Sequence, residues 1–212
     1  MSYKAVIFDL DGVICSTDEY HYQAWKRLAD ELGIPFDRNT NNRLRGVSRM
    51  ASLEIVLEPY TEPLAEAEKL VLAEQKNEIY KSLLAGMSPA DLSPAVKRTL
   101  ELLRARGLLL AIGSSSKNTP FILRQLGLAD YFDAVCDGNC ITHSKPDPEV
   151  FCKAAEMLGL DPADCLVVED AAAGAEAAHR GGMDAACVGD AARAGAGEYN
   201  LRSIEELPDV VK

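Results

Sequence analysis

Apolar residues follow two rhythms along this chain. Short unbroken runs at residues 3–10, 108–113, 134–136 and 165–168 have the length of strands buried on both faces, and 185–188 offers a fifth. Segments 120–127, 147–159 and 171–182 carry helical spacing, and each closes near a glycine, as helix ends often do. Strands alternating with helices predict an α/β fold: a doubly wound, Rossmann-like parallel sheet with helices on both faces.

The first two runs are separated by about a hundred residues, far more than one crossover helix needs, so an inserted domain is expected. Within it, 20–32, 41–47, 49–58 and 64–84 have helical spacing and no alternation, the pattern of a helical bundle. The expected division is a core of residues 1–15 and 91–212 with a helical cap at 16–90, hinged near 14–18 and 88–92. Residues 190–197 mix Ala and Gly with charges and read as a surface loop, and the tail after Val188 suggests no role.

A formal charge of −11 on 212 residues argues against nucleic acid or an anionic membrane as partner, since both need a basic face. No apolar run approaches the length of a bilayer span and no export signal is recognised, so cytoplasmic residence is expected; a monomer is expected as well. The six cysteines form no paired framework and read as reduced, mostly buried thiols; Cys136 and Cys140 lack the remaining ligands of a zinc site.

Candidate chemistry lies at the end of the first run. Asp9 and Asp11 stand one residue apart before Gly12, and side chains at i and i+2 of an extended segment point the same way. Two readings fit: a nucleophile with its proton partner and a metal, or two turn residues that accept backbone hydrogen bonds. In open α/β sheets ligands bind at the carboxyl ends of the strands. There the chain places Ser114, Ser115 and Ser116 with Lys117 and Asn118, then Lys145 before Pro146, then Glu169 and Asp170. Lys145 alone also reads as a solvated lysine beside a turn. The assembled set is one for phosphate and magnesium chemistry.

Asp9-x-Asp11, Ser114, Lys145 and Glu169-Asp170 occur in the order of the four motifs of the haloacid dehalogenase-like phosphotransferases, and the chain resembles that superfamily over nearly its whole length. The resemblance implies attack by Asp9 on phosphorus, with Asp11 protonating the leaving oxygen and then deprotonating the acceptor. It implies Mg2+ held by Asp9, the Asp11 backbone carbonyl, Glu169 and Asp170, with Lys145, the Ser114 hydroxyl and the Ser115 amide supporting the phosphoryl group.

Within the insert, Arg45, Gly46, Val47, Arg49 and Ser52, with His21, Trp25, Lys76 and Asn77, resemble the sugar-phosphate mutase branch of that superfamily. This implies interconversion of β-glucose 1-phosphate and glucose 6-phosphate through glucose 1,6-bisphosphate. Arg49 with Ser116, Lys117 and Asn118 would take the second phosphate, and Arg45, Gly46, Val47, Ser52, Trp25 and Lys76 would line the sugar. Read alone, Trp25 is more often a core residue, Arg45 and Lys76 more often a solvated helix face, and His21 either a donor near Asp11 or a satisfied helix residue. Arg45 stands where the family usually has Lys, Ser16 where it has Asp, and Ser115 where it has Ala. Two rivals remain: a sugar-phosphate phosphatase, in which water takes the phosphoryl group, and a non-catalytic phosphosugar-binding protein.

Overall fold

The computed structural model describes residues 3–44 and 47–211, which divide into two compact units: Met1–Ser16 with Ser88–Lys212, and Thr17–Met87. In chain order the elements are β1 (Ala5–Phe8), α1 (Asp18–Glu31), α2 (Arg38–Asn42), α3 (Arg49–Leu57), α4 (Glu66–Leu84), α5 (Pro94–Ala105), β2 (Leu109–Gly113), α6 (Thr119–Gln125), β3 (Ala134–Cys136), α7 (Glu149–Leu158), β4 (Cys165–Glu169), α8 (Ala172–Arg180), β5 (Asp184–Cys187), α9 (Gly189–Arg193), β6 (Tyr199–Asn200) and α10 (Leu207–Val210).

Among the described residues the sheet has six parallel strands in the order β3-β2-β1-β4-β5-β6. β1 is central, with Phe8 opposite Ile112 on one side and Val168 on the other. Its four residues are fully buried, which is why it is a continuous apolar run and not an alternating one. The sheet order reverses around β1, so the carboxyl ends of β1, β2 and β4 open at one crevice. One core cluster joins Ile7, Ala111, Val150, Phe151, Val167 and Ala178 across strands and helices.

The helical unit has its own core of Trp25, Leu28, Phe36, Leu44, Leu53, Val56 and Leu57. Ser48 caps α3 by accepting from the Ala51 amide at 3.3 Å. Asp37 caps α2 through the Thr40 amide at 2.8 Å, which starts this helix three residues ahead of the expected 41–47; it ends at Asn42, and Arg45 and Gly46 lie outside the described residues.

Three other expectations need correction. α5 was not among the expected helices, although Ser93 caps it and Pro94 occupies its first turn. Segment 190–197 is not simply a surface loop: α9 begins it, because Ala191 is buried in the core cluster. The tail has a structural role: β6 extends the sheet beyond β5, and α10 packs on α5, where Arg106 donates to the Val211 carbonyl at 2.9 Å.

Candidate active site

Asp9 follows β1 directly, its amide bonded to the Val168 carbonyl at 2.9 Å, so the strand pairing fixes its position. The Lys145 ammonium donates to Asp9 Oδ1 at 2.5 Å and to Glu169 Oε1 at 2.6 Å, and all three side chains are buried. This excludes the solvated reading of Lys145. Its ammonium also lies 4.6 Å from the centre of the Phe151 ring.

Glu169 is fully engaged. Its Oε2 accepts from the amides of Asp170 and Ala171 at 2.9 and 3.0 Å, while Oε1 takes Lys145. Gly174 makes room for it: a Cβ there would lie 1.9 Å from Glu169 Oε1. Gly12 does the same for Asp170, since a Cβ would fall 2.1 Å from Oδ2, and its φ of +88° also favours glycine.

Burial has the largest influence on Asp9 and drives its pKa well above the ordinary carboxylate value; Lys145 pulls it down, and Glu169 and Asp11 push it up again. Burial also disfavours the Lys145 ammonium, but Asp9 and Glu169 outweigh it and hold that pKa above the usual lysine value. The group is therefore short of positive charge. Oxygens of Asp9, Glu169 and Asp170 lie within 4.8 Å of one another, a donor set suited to a hard divalent cation.

After β2, the Ser114 amide bonds to the Cys136 carbonyl at 3.0 Å and its hydroxyl accepts from the Ser116 amide at 3.2 Å, leaving its own proton to donate elsewhere. The Ser116 hydroxyl accepts from the Asn118 amide at 3.3 Å. Gly138 and Asn139 brace this loop: the Gly138 amide donates to the Ser116 carbonyl and the Asn139 side-chain amide donates to the Lys117 backbone carbonyl, both at 3.2 Å. Lys117 itself is exposed, Asn118 is buried, and the Ser115 hydroxyl is buried with no hydrogen-bond partner.

In the helical unit, Lys76 is 3% exposed and lies 2.9 Å from His21 Nδ1, with its ammonium 4.8 Å from the Trp25 ring centre and 4.4 Å from that of Tyr80. His21 stacks on Tyr80 at 4.1 Å. Burial, then Lys76 and Arg49, hold the His21 pKa well below its ordinary value, so the ring is neutral and accepts from Lys76. Trp25 is part of the core as well as a wall for Lys76, and Ser52 is buried, its amide bonded to the Ser48 carbonyl at 2.8 Å. Val47 is exposed. Arg49 Nη1 pairs with Glu74 at 3.1 Å.

Sequence reasoning passed over Tyr80, although it sits four residues after Lys76 on one helix face. It also passed over Glu74, Gly12 as the seat of Asp170, and Gly174 as the seat of Glu169.

An α/β domain of this topology, with a lysine–carboxylate site at its strand ends and a helical insert after β1, defines a phosphotransferase-type fold. A family profile for haloacid dehalogenase-like hydrolases matches residues 3–182, and the chain belongs to that family. It is 46% identical over 192 residues to a β-phosphoglucomutase of Bacillus subtilis, covering 88% of this chain and 83% of that protein. It is 33% identical to the fructose-1-phosphate phosphatase YqaB of Escherichia coli, covering 86% and 95%. The crystal structure of a β-phosphoglucomutase from Clostridium difficile superposes with a TM-score of 0.90 at 36% identity, covering 97% of this chain and 93% of that one.

Proposed function

We propose that this protein is a β-phosphoglucomutase, interconverting β-D-glucose 1-phosphate and D-glucose 6-phosphate through an aspartyl phosphate on Asp9 and glucose 1,6-bisphosphate. The observation that carries the reading is the buried Lys145 bridging Asp9 and Glu169 at the end of β1, in a chain 46% identical to a β-phosphoglucomutase.

Lys145 holds Asp9 through Oδ1, so the carboxylate meets the phosphorus already oriented and with part of its charge neutralised. Asp11, two residues on, gives its proton to the leaving oxygen and later takes one from the sugar hydroxyl that attacks the aspartyl phosphate. The Ser114 hydroxyl and Ser115 amide donate to the phosphoryl oxygens. Glu169, with both oxygens occupied, orients Lys145 and the turn that carries Asp170. Mg2+ is the expected ion; Asp9 and Asp170, assisted by Glu169 and the Asp11 carbonyl, would hold it, and it would supply charge that offsets repulsion between carboxylate and phosphate.

A mutase must also hold the phosphate that is not being transferred. Arg49 and the Ser116–Asn118 loop are assigned to it, and Lys76, Arg45, Gly46, Val47 and Ser52 to the sugar, with the enzyme working as a cytoplasmic monomer on these phosphosugars. The rival is a phosphatase, the activity named for the Escherichia coli relative. Incubation with Mg2+, β-glucose 1-phosphate and a trace of glucose 1,6-bisphosphate separates them. Glucose 6-phosphate should accumulate without free phosphate, and phosphate release without the isomer refutes the mutase.

A further inference from the structure

Arg49 does not stand open to a ligand. Its Nη1 contacts Glu74 Oε2 at 3.1 Å, and the other oxygen of Glu74 accepts from the Asn77 amide group at 3.1 Å. Asn77 is buried on α4 one turn from Glu74, so it anchors the carboxylate from the interior side. That hydrogen bond is the main reason the Glu74 pKa lies below its ordinary value; burial opposes it, and Arg49 and Lys81 assist. Glu74 is thus an anion held in the place where Arg49 would meet another anion.

We propose that Glu74 is a positioning residue that competes with the non-transferring phosphate for Arg49, and thereby limits how tightly that phosphate is held. The proposal rests on the mutase reading and on Arg49 as a phosphate ligand. The chemistry gives the competition a purpose. The bisphosphate intermediate has to exchange its two phosphates between the reacting position and the distal one, so a grip that never loosens would trap it. Glu74 offers Arg49 an alternative partner at each release. The pair suits exchange: the Arg49 side chain is 27% exposed and that of Glu74 59%, and ion pairs with that much solvent contact are weak compared with a fork around a phosphate dianion. The buried Lys145 pairs do not have this freedom.

The test compares Glu74→Gln and Glu74→Ala with wild type in steady-state turnover of β-glucose 1-phosphate. Glu54→Gln serves as control, since it removes a carboxylate from another ion pair of the same domain, with Lys69. Both Glu74 variants should lower KM by about threefold and lower kcat with it, because tighter binding of the intermediate slows its reorientation. The Glu54 variant should match wild type. A KM that is unchanged or raised in the Glu74 variants overturns the proposal, as does an equal fall in the Glu54 control. Failure of the parent reading is visible separately, in the wild-type product: release of free phosphate in place of glucose 6-phosphate refutes the mutase, while the KM of that hydrolysis still reports whether Glu74 competes for Arg49.

Discussion

The two units of this protein hold their cations in opposite ways. In the α/β unit Lys145 is bonded at 2.5 and 2.6 Å to two buried carboxylates, one of which is itself fixed by two backbone amides. In the helical unit Lys76 rests against a neutral imidazole and two aromatic faces, and Arg49 holds a half-open carboxylate. The first arrangement is rigid, with one cation between two carboxylates, and fixed groups of this kind suit phosphoryl transfer because they need not reorganise during the reaction. The second sets its cations against aromatic faces and a partly exposed carboxylate, a looser surrounding than the buried lysine–carboxylate group. Under the proposed function, the first environment would serve the chemistry and the second the recognition of the sugar phosphate.

The largest break in this contrast is at Asp9, the proposed nucleophile. Asp9→Asn should lower mutase turnover by about 10⁴-fold or more while the protein stays folded, read by coupled assay and thermal melting. Lys145→Met should follow, with kcat reduced by about 10²–10³. Because it strands Asp9 and Glu169 in a buried site, it should also destabilise the α/β unit by about 3–5 kcal/mol in denaturant titration. A loss of activity with unchanged stability contradicts the wiring described for Lys145. Lys76→Met tests the other side: it removes the contact to His21 and the cation–π contacts to Trp25 and Tyr80, and should destabilise the helical unit by about 1–2 kcal/mol in denaturant titration.

Gly174→Ala is a steric version of the same test, requiring no change of charge. A methyl 1.9 Å from Glu169 Oε1 must displace that carboxylate, with an expected cost of about 1–3 kcal/mol and a drop in kcat greater than any change in KM.

The smallest effect is a slope with pH. His21 is held neutral, so below about pH 6.5 the unfolded chain binds a proton that the folded helical unit refuses, and stability falls as pH drops from there toward the folded pKa. His21→Gln should flatten that slope, and a slope left unchanged shows that the acid sensitivity lies elsewhere.

Much of the α/β architecture was legible because buried parallel strands are continuous apolar runs and helices between them close at glycines. β6 was not, since two residues hold no period, and its place beside β5 depends on the chain's return through α9. α5 carried its cap and its proline and could have been read. In the active site the residue types were visible at the strand ends, yet their partners were not. That Glu169 spends both oxygens on Lys145 and the turn at Asp170, and that Arg49 meets Glu74, depends on geometry between residues distant in sequence. Gly12 and Gly174 are the clearest case, because their contribution is the absence of an atom, and a sequence shows that only once the neighbouring carboxylates are placed.

The central position of β1 has a consequence for the order in which the protein is made. Both of its neighbours come much later in the chain, at Leu109–Gly113 and Cys165–Glu169. At about 5–20 residues per second the ribosome needs roughly 5–20 s to travel from β1 to the end of β2. Throughout that interval the nascent chain carries an apolar strand without a sheet, and the whole of Thr17–Met87 is synthesised within it. The segment that carries Asp9 is thus made well before the strands that hold it in place.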